Sequence, residues 1–165
     1  MRKVSSTASL AVVFAALYAV GVVVLAPISF FAFQVRVADA LLPLSILFGW
    51  PAILGLSIGA FVANFFGGLG PVDIVGGAIA NFVAGVLAWK VASDRRLVHL
   101  VVAVALQIVV VTLIVGTYLS FLLAIPLEAG LIGVAFGSMI AIGILGSLLL
   151  FALSRKSVVD QLKSH

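Results

Sequence analysis

Nine basic and five acidic residues carry all the fixed charge in 165 residues, so the place of each one is informative. One polar group is Gln34, Arg36 and Asp39 in Phe33-Gln-Val-Arg-Val-Ala-Asp-Ala-Leu41. Arg36 and Asp39 stand three apart, a spacing that puts two side chains on one helical face. A charged group at the centre of a membrane span costs roughly 2.5–3.5 kcal/mol. The pair is therefore either an ion pair snorkelling at a surface or the polar mouth of a helix bundle, and Gln34 beside it favours the mouth. Asp73 follows Gly67-Gly-Leu-Gly-Pro71 at the start of an apolar stretch, where a carboxylate gains from the helix dipole and can cap free amides. Asn64 precedes that glycine-rich loop, and Asn81 lies two turns beyond Asp73 with Gly77 between. An asparagine in such a place either ties two helices together or faces a ligand. Glu128 sits in the connection Ile125-Pro-Leu-Glu-Ala-Gly130, and Tyr118 offers an interfacial or stacking ring.

Catalytic readings find little support. Gly55-Leu-Ser57-Ile-Gly59 has the spacing of a serine nucleophile turn, but such a serine needs a base nearby. The two histidines, His99 and His165, both belong to the basic side of the chain, so this pattern reads as small-residue packing. There is no cysteine and no cluster of metal-ligating side chains. No GxxxxGK[ST] phosphate loop occurs, so the chain is expected to hold no cofactor and to hydrolyse no ATP itself. Ala8 and the stripe Ala11, Ala15 and Ala19 line the first apolar stretch, and small-residue stripes let membrane helices approach closely. Gly133 and Gly137 form a weaker example, read as internal packing.

The elements that must position these residues follow from composition. The chain is 65 % hydrophobic and 8 % charged, against roughly a quarter charged in soluble domains. That predicts an all-α membrane protein, one integral membrane domain over residues 1–165. Six spans are drawn: 7–26, 36–48, 52–66, 72–92, 97–123 and 130–153, the second one short. Merging the second and third would give a helix of about 46 Å, well beyond a hydrocarbon core of about 30 Å. With both termini cytoplasmic, the inner side receives Arg2, Lys3, Lys90, Arg95, Arg96, Arg155, Lys156 and Lys163, as the positive-inside rule asks. Against Asp94 and Asp160 these leave +6 inside. Arg36 against Asp39, Asp73 and Glu128 leaves −2 outside, and the two together recover the net +4 of the sequence. The basic balance is thus topological, and nucleic acid is not an expected partner.

Taken together, Ala26-Pro-Ile-Ser29, the Phe33–Leu41 segment, the run from Gly59 to Asn64 and Leu69-Gly-Pro-Val-Asp-Ile-Val-Gly-Gly77 resemble the QueT family of membrane proteins. The resemblance is specific over the first four spans and rests on hydropathy alone in the last two. It implies a six-helix S component, the substrate-binding subunit of an energy-coupling factor (ECF) transporter, that takes queuosine precursors (7-deazaguanine bases). It implies as partners a transmembrane coupling protein and two ATPase subunits that use the ATP, with Ala11, Ala15 and Ala19 at the docking face. A prokaryotic plasma membrane is implied as well. Under it, Asp39, Asp73 or Glu128 pairs with the base, Gln34, Asn64 and Asn81 orient it, and Tyr118 stacks on it. Arg36 orders Asp39. The loops Pro27–Phe33 and Gly67–Gly70 close over the base. One departure is visible: the family's usual Ser-Glu is here Ala38-Asp39, which leaves room for another vitamin or nucleobase as ligand. A structural membrane protein without a ligand, whose outer polar residues only pair with one another, is the third expectation.

Overall fold

Apolar stretches surrounded by lipid have no water to bond their backbone, and helices satisfy every N–H and C=O internally. The computed structural model of the chain describes residues 2–25 and 36–154, with side chains from residue 7. Among them there are helices and no strands. Five are long and apolar enough to cross a membrane: α1 (Arg2–Val24), α3 (Trp50–Gly67), α4 (Pro71–Val91), α5 (Leu97–Leu122) and α6 (Leu127–Ser154). A shorter apolar helix, α2 (Val37–Phe48), lies between α1 and α3. Gln34, the Pro27–Phe33 loop, Arg155, Lys156, Asp160, Lys163 and His165 lie outside the described residues.

Two of the helices depart from α geometry. In α2, Val37–Leu44 is a 3-10 helix containing Pro43, followed by one α-helical turn, Ser45–Phe48. At about 2.0 Å per residue for the first part and 1.5 Å for the second, α2 is about 22 Å long, short of a full hydrocarbon core. In α6, Met139–Gly146 is π-helical. The two irregular stretches face each other: a Cβ at Gly146 would lie 2.8 Å from Pro43 Cγ and 3.1 Å from the Ala40 carbonyl oxygen. Gly49, at φ +62°, breaks the chain between α2 and α3, and Pro51 sits in the first turn of α3, where its missing N–H costs nothing. The second and third apolar stretches are therefore separate helices, as their combined length requires.

Beside an apolar core that includes Leu42, Leu56 and Ile142, the interior also holds polar and charged side chains. Arg36, Asp39, Ser45, Asn64, Asp73, Asn81 and Gln107 are all buried, while Val12, Val24, Phe65, Phe66, Phe121 and Ile132 are exposed. Lipid can cover the second set but cannot solvate the first. At one end Trp50 stacks near Trp89, ring centroids 5.9 Å apart. That end also carries Lys90, Arg95 and Arg96, and the Asp94 carboxylate is held below the usual carboxylate range by a 2.6 Å hydrogen bond with His99. The opposite end holds the loop between α3 and α4 and the connection between α5 and α6.

The Gly55-Leu-Ser57-Ile-Gly59 pattern is a helix-packing device, as read from the sequence. Ser57 Oγ donates back to the Ile53 carbonyl at 2.7 Å, and the two glycines admit the backbone of α1. A Cβ at Gly55 would collide with the Ala11 carbonyl and Phe14. One at Gly59 would lie 2.8 Å from both the Ala15 carbonyl oxygen and Tyr18 Cβ. These pairs make α1 and α3 run parallel, so the chain returns between them through α2. Gly133 and Gly137 are buried within α6. Gly59→Val should separate the two helices and lower unfolding stability in detergent by about 1–3 kcal/mol, whereas the exposed Ile58→Val should leave it unchanged within error.

Candidate functional site

The end of the bundle away from the tryptophans gathers polar residues of five helices. α1 contributes Tyr18, α2 Asp39, α4 Asp73 and Asn81, and α5 Tyr118, while Arg36 immediately precedes α2 and Asn64 closes α3. Arg36 is 5 % exposed, Asp39 6 %, and Asn64, Asp73 and Tyr18 not at all. Arg36 lies in electrostatic range of Tyr18, Asp39, Asp73 and Tyr118, which places it among the pairs on either side.

Each aspartate is held by a tyrosine. Tyr18 donates its hydroxyl proton to Asp39 Oδ1 at 2.5 Å, and Tyr118 donates to Asp73 Oδ1 at 2.9 Å. Each tyrosine packs against a glycine on another helix: Tyr18 through its Cβ against Gly59, and Tyr118 against Gly76, where a Cβ would lie 2.8 Å from the ring. The chain has two tyrosines, and both serve a buried carboxylate. Hydrogen bonds to ionised groups are worth roughly 1.5–3 kcal/mol net, which suits charges placed where water cannot solvate them.

The sequence expectations divide here. Arg36 and Asp39 do not form an ion pair, because Arg36 stands ahead of the helix rather than on its face; Tyr18 orders Asp39 instead. Tyr18 was missing from the sequence reading. Its signal was available: it falls four residues after Phe14 and four before Val22, a buried stripe that carries one hydroxyl. Asp73 does not cap α4, since its Oδ1 serves Tyr118 and its Oδ2 is buried without a partner. Tyr118 acts through its hydroxyl and its packing on Gly76. Asn64 Nδ2 donates to the Asp73 backbone carbonyl at 2.8 Å, and Asn81 Nδ2 donates to the Leu56 carbonyl at 3.3 Å. Both asparagines thus tie α3 to α4, and Asn81 also faces the Tyr18 hydroxyl. Glu128 is exposed in the first turn of α6 and stands outside the cluster.

Not all of the cluster is satisfied. Among the described residues, Arg36 Nε and Nη2, Asp73 Oδ2 and Asn64 Oδ1 are buried and have no hydrogen-bond partner. Two are donors and two are acceptors. Leaving such an atom unpaired costs about 1–3 kcal/mol, more when it is charged. A flat molecule with a carbonyl or ring acceptor beside amino or ring N–H donors would satisfy both kinds at once.

Ala11, Ala15 and Ala19 lie elsewhere. With Val12, Ala16, Ile58 and Val62 they line an apolar groove of about 370 Å³ on the outer face of α1 and α3. Their backbone meets Gly55 and Gly59 within the chain, and their methyl groups leave the groove shallow. Ala38, the residue that departs from the family's usual serine, faces Gly21 of α1 at a helix contact rather than the polar cluster.

Tyr18→Phe should leave Asp39 without its donor and cost about 1.5–3 kcal/mol of stability, read from unfolding of the detergent-solubilised protein. Phe14→Leu, a purely apolar change on the same stripe, should cost less.

The buried polar cluster thus lies inside a shell of helices whose outer faces are apolar. No curated protein and no solved structure matches the chain. The family model described as QueT transporter matches residues 8–155, nearly the whole length, and the chain belongs to the QueT transporter family.

Proposed function

We propose that this chain is the substrate-binding S component of an ATP-driven ECF-type importer and captures a 7-deazaguanine base from outside the cell. The observation that carries this reading is the set of unpaired buried atoms on Arg36, Asn64 and Asp73. A deazaguanine presents a carbonyl acceptor and adjacent N–H donors along one edge. The carbonyl suits Arg36, and the N–H groups suit the free oxygens of Asp73 and Asn64. Asp39, engaged by Tyr18, contributes charge and order more than direct contact. If Asp39 and Asp73 are both ionised, the cluster is one negative charge in excess of Arg36, which suits an amine-bearing base.

The topology supports capture from outside. With six segments crossing and both termini cytoplasmic, the tryptophan and Lys90–Arg96 end faces inward, and the polar cluster faces outward. The absence of a phosphate-binding loop from the sequence suits a subunit energised by partners, a transmembrane coupling protein and two ATPases. The groove along Ala11, Ala15 and Ala19 is a suitable face for that coupling protein, within a prokaryotic plasma membrane.

Thermal unfolding tests the ligand directly, because a ligand that binds the folded state alone stabilises it by about 2.7 kcal/mol at one hundred times its Kd. A 7-deazaguanine should raise the unfolding midpoint of the wild type, and Asp73→Asn should weaken binding about tenfold or more, the loss of one charge-assisted contact. A response only to a different vitamin or nucleobase would reassign the ligand. Silence across the whole panel would favour a structural protein. Ala15→Trp should abolish co-purification with the coupling protein while ligand binding persists; retained co-purification would remove the groove from the interface.

A further inference from the structure

Gln107 is fully buried in the middle of α5, eleven residues before Tyr118 and so about 16 Å along the helix from the site. Its Nε2 donates to the Leu42 carbonyl at 3.0 Å and to Ser45 Oγ at 3.2 Å. Those two acceptors mark the point where α2 passes from 3-10 to α geometry, and the Ser45 N–H also bonds the Leu42 carbonyl. Every residue that the site draws from this segment, Arg36 and Asp39, lies N-terminal to that anchor.

An eight-residue 3-10 run is long for a form with weaker hydrogen bonds than the α-helix. Pro43 helps to keep it, since its ring obstructs the carbonyl four residues back and it has no N–H to offer an α turn. The donor from Gln107 helps further, giving the Leu42 carbonyl a second partner beside the Ser45 N–H. The geometry makes the anchor a lever. A 3-10 helix advances about 0.5 Å more per residue than an α-helix and turns about 20° more. With Ser45 fixed, rewinding to α geometry would draw Asp39 back by about 3 Å and swing it by about 120°. Tyr18, on a different helix, could not follow.

We propose that Gln107 is a positioning residue for the ligand site: its amide holds α2 in the 3-10 form and so keeps Asp39 on Tyr18 and Arg36 at the ligand. The proposal rests on the binding reading given above. Gln107 touches neither the ligand nor the carboxylates. It acts through the register of α2, to which its Nε2 donates two hydrogen bonds.

The chain has no cysteine, so a spin-label pair can be introduced cleanly. Val37 lines a groove at the outer surface and Phe121 is exposed, so Val37→Cys with Phe121→Cys reports α2 against α5 without any ligand. In the Gln107→Leu background the distance between the labels should shift by up to about 4 Å or split into two populations. Gln107→Met, of nearly the same volume, should do the same. Binding of 7-aminomethyl-7-deazaguanine should weaken about tenfold or more as the competent fraction falls, and the unfolding midpoint of the ligand-free protein should fall, since Asp39 loses the donor that Tyr18→Phe removes. Tyr18→Phe should weaken binding in the wild type but add nothing to binding or midpoint in Gln107→Leu, because Asp39 has already left the tyrosine. An unchanged label distance, full affinity in both Gln107 variants, or strictly additive effects of Tyr18→Phe and Gln107→Leu would overturn the proposal. Failure of the wild type to bind the probe would count against the binding reading, whereas the label distance would still decide the register of α2.

Discussion

Everything at the polar end depends on keeping Arg36, Asp39 and Asp73 charged or hydrogen-bonded where neither water nor lipid can serve them. A bilayer-embedded ion left alone costs several kcal/mol, comparable to much of the stability of a small domain. The fold meets that cost by dedicating both of its tyrosines to carboxylates and by placing glycines where the tyrosines pack. The parallel packing of α1 on α3, the loop between α3 and α4, and the irregular geometry of α2 then read as one solution. Each brings a side chain to the same buried patch.

The solution is incomplete in one direction. Among the described residues, Arg36, Asp73 and Asn64 keep atoms without partners, although neighbouring side chains of the right kind are close enough to be felt electrostatically. A purely structural network would be expected to close on itself, since half-satisfied polar networks cost more than apolar packing. Under the proposed function, the unspent donors and acceptors are the contacts left for a solute. The groove beside the α1 alanines lies on a separate face, so the proposed binding and docking roles can be tested independently.

Much of this was legible in the sequence, for particular physical reasons. Charge is scarce in a lipid-facing chain, so Asp39, Asp73 and Arg36 could be picked out one by one and prove to share a cluster. Hydropathy gave the helices to within a few residues, and the break at Gly49 was readable from chain length and the Gly49-Trp-Pro51 turn. The partners of the charges were not legible. Arg36 and Asp39 are neighbours in sequence, and their spacing suggests a pair, but Arg36 precedes the helix in a non-helical conformation (φ −81°, ψ 87°) and is not on its face. Tyr18 lies 21 residues from Asp39, a contact that depends on how α1 and α3 cross. Gln107 is 65 residues from Leu42, and nothing local marks a glutamine as the anchor of another helix. Glu128 carries the same charge as Asp73 yet is exposed in the first turn of α6.

Native mass spectrometry of the protein purified in mild detergent tests the central claim most directly, by reading what the site carries from the cell. The account predicts a bound small heteroaromatic base, with both donors and acceptors on one edge, that is lost in the Asp73→Asn protein. A wild-type protein that carries only lipid, even when expressed with deazaguanines in the medium, would contradict it.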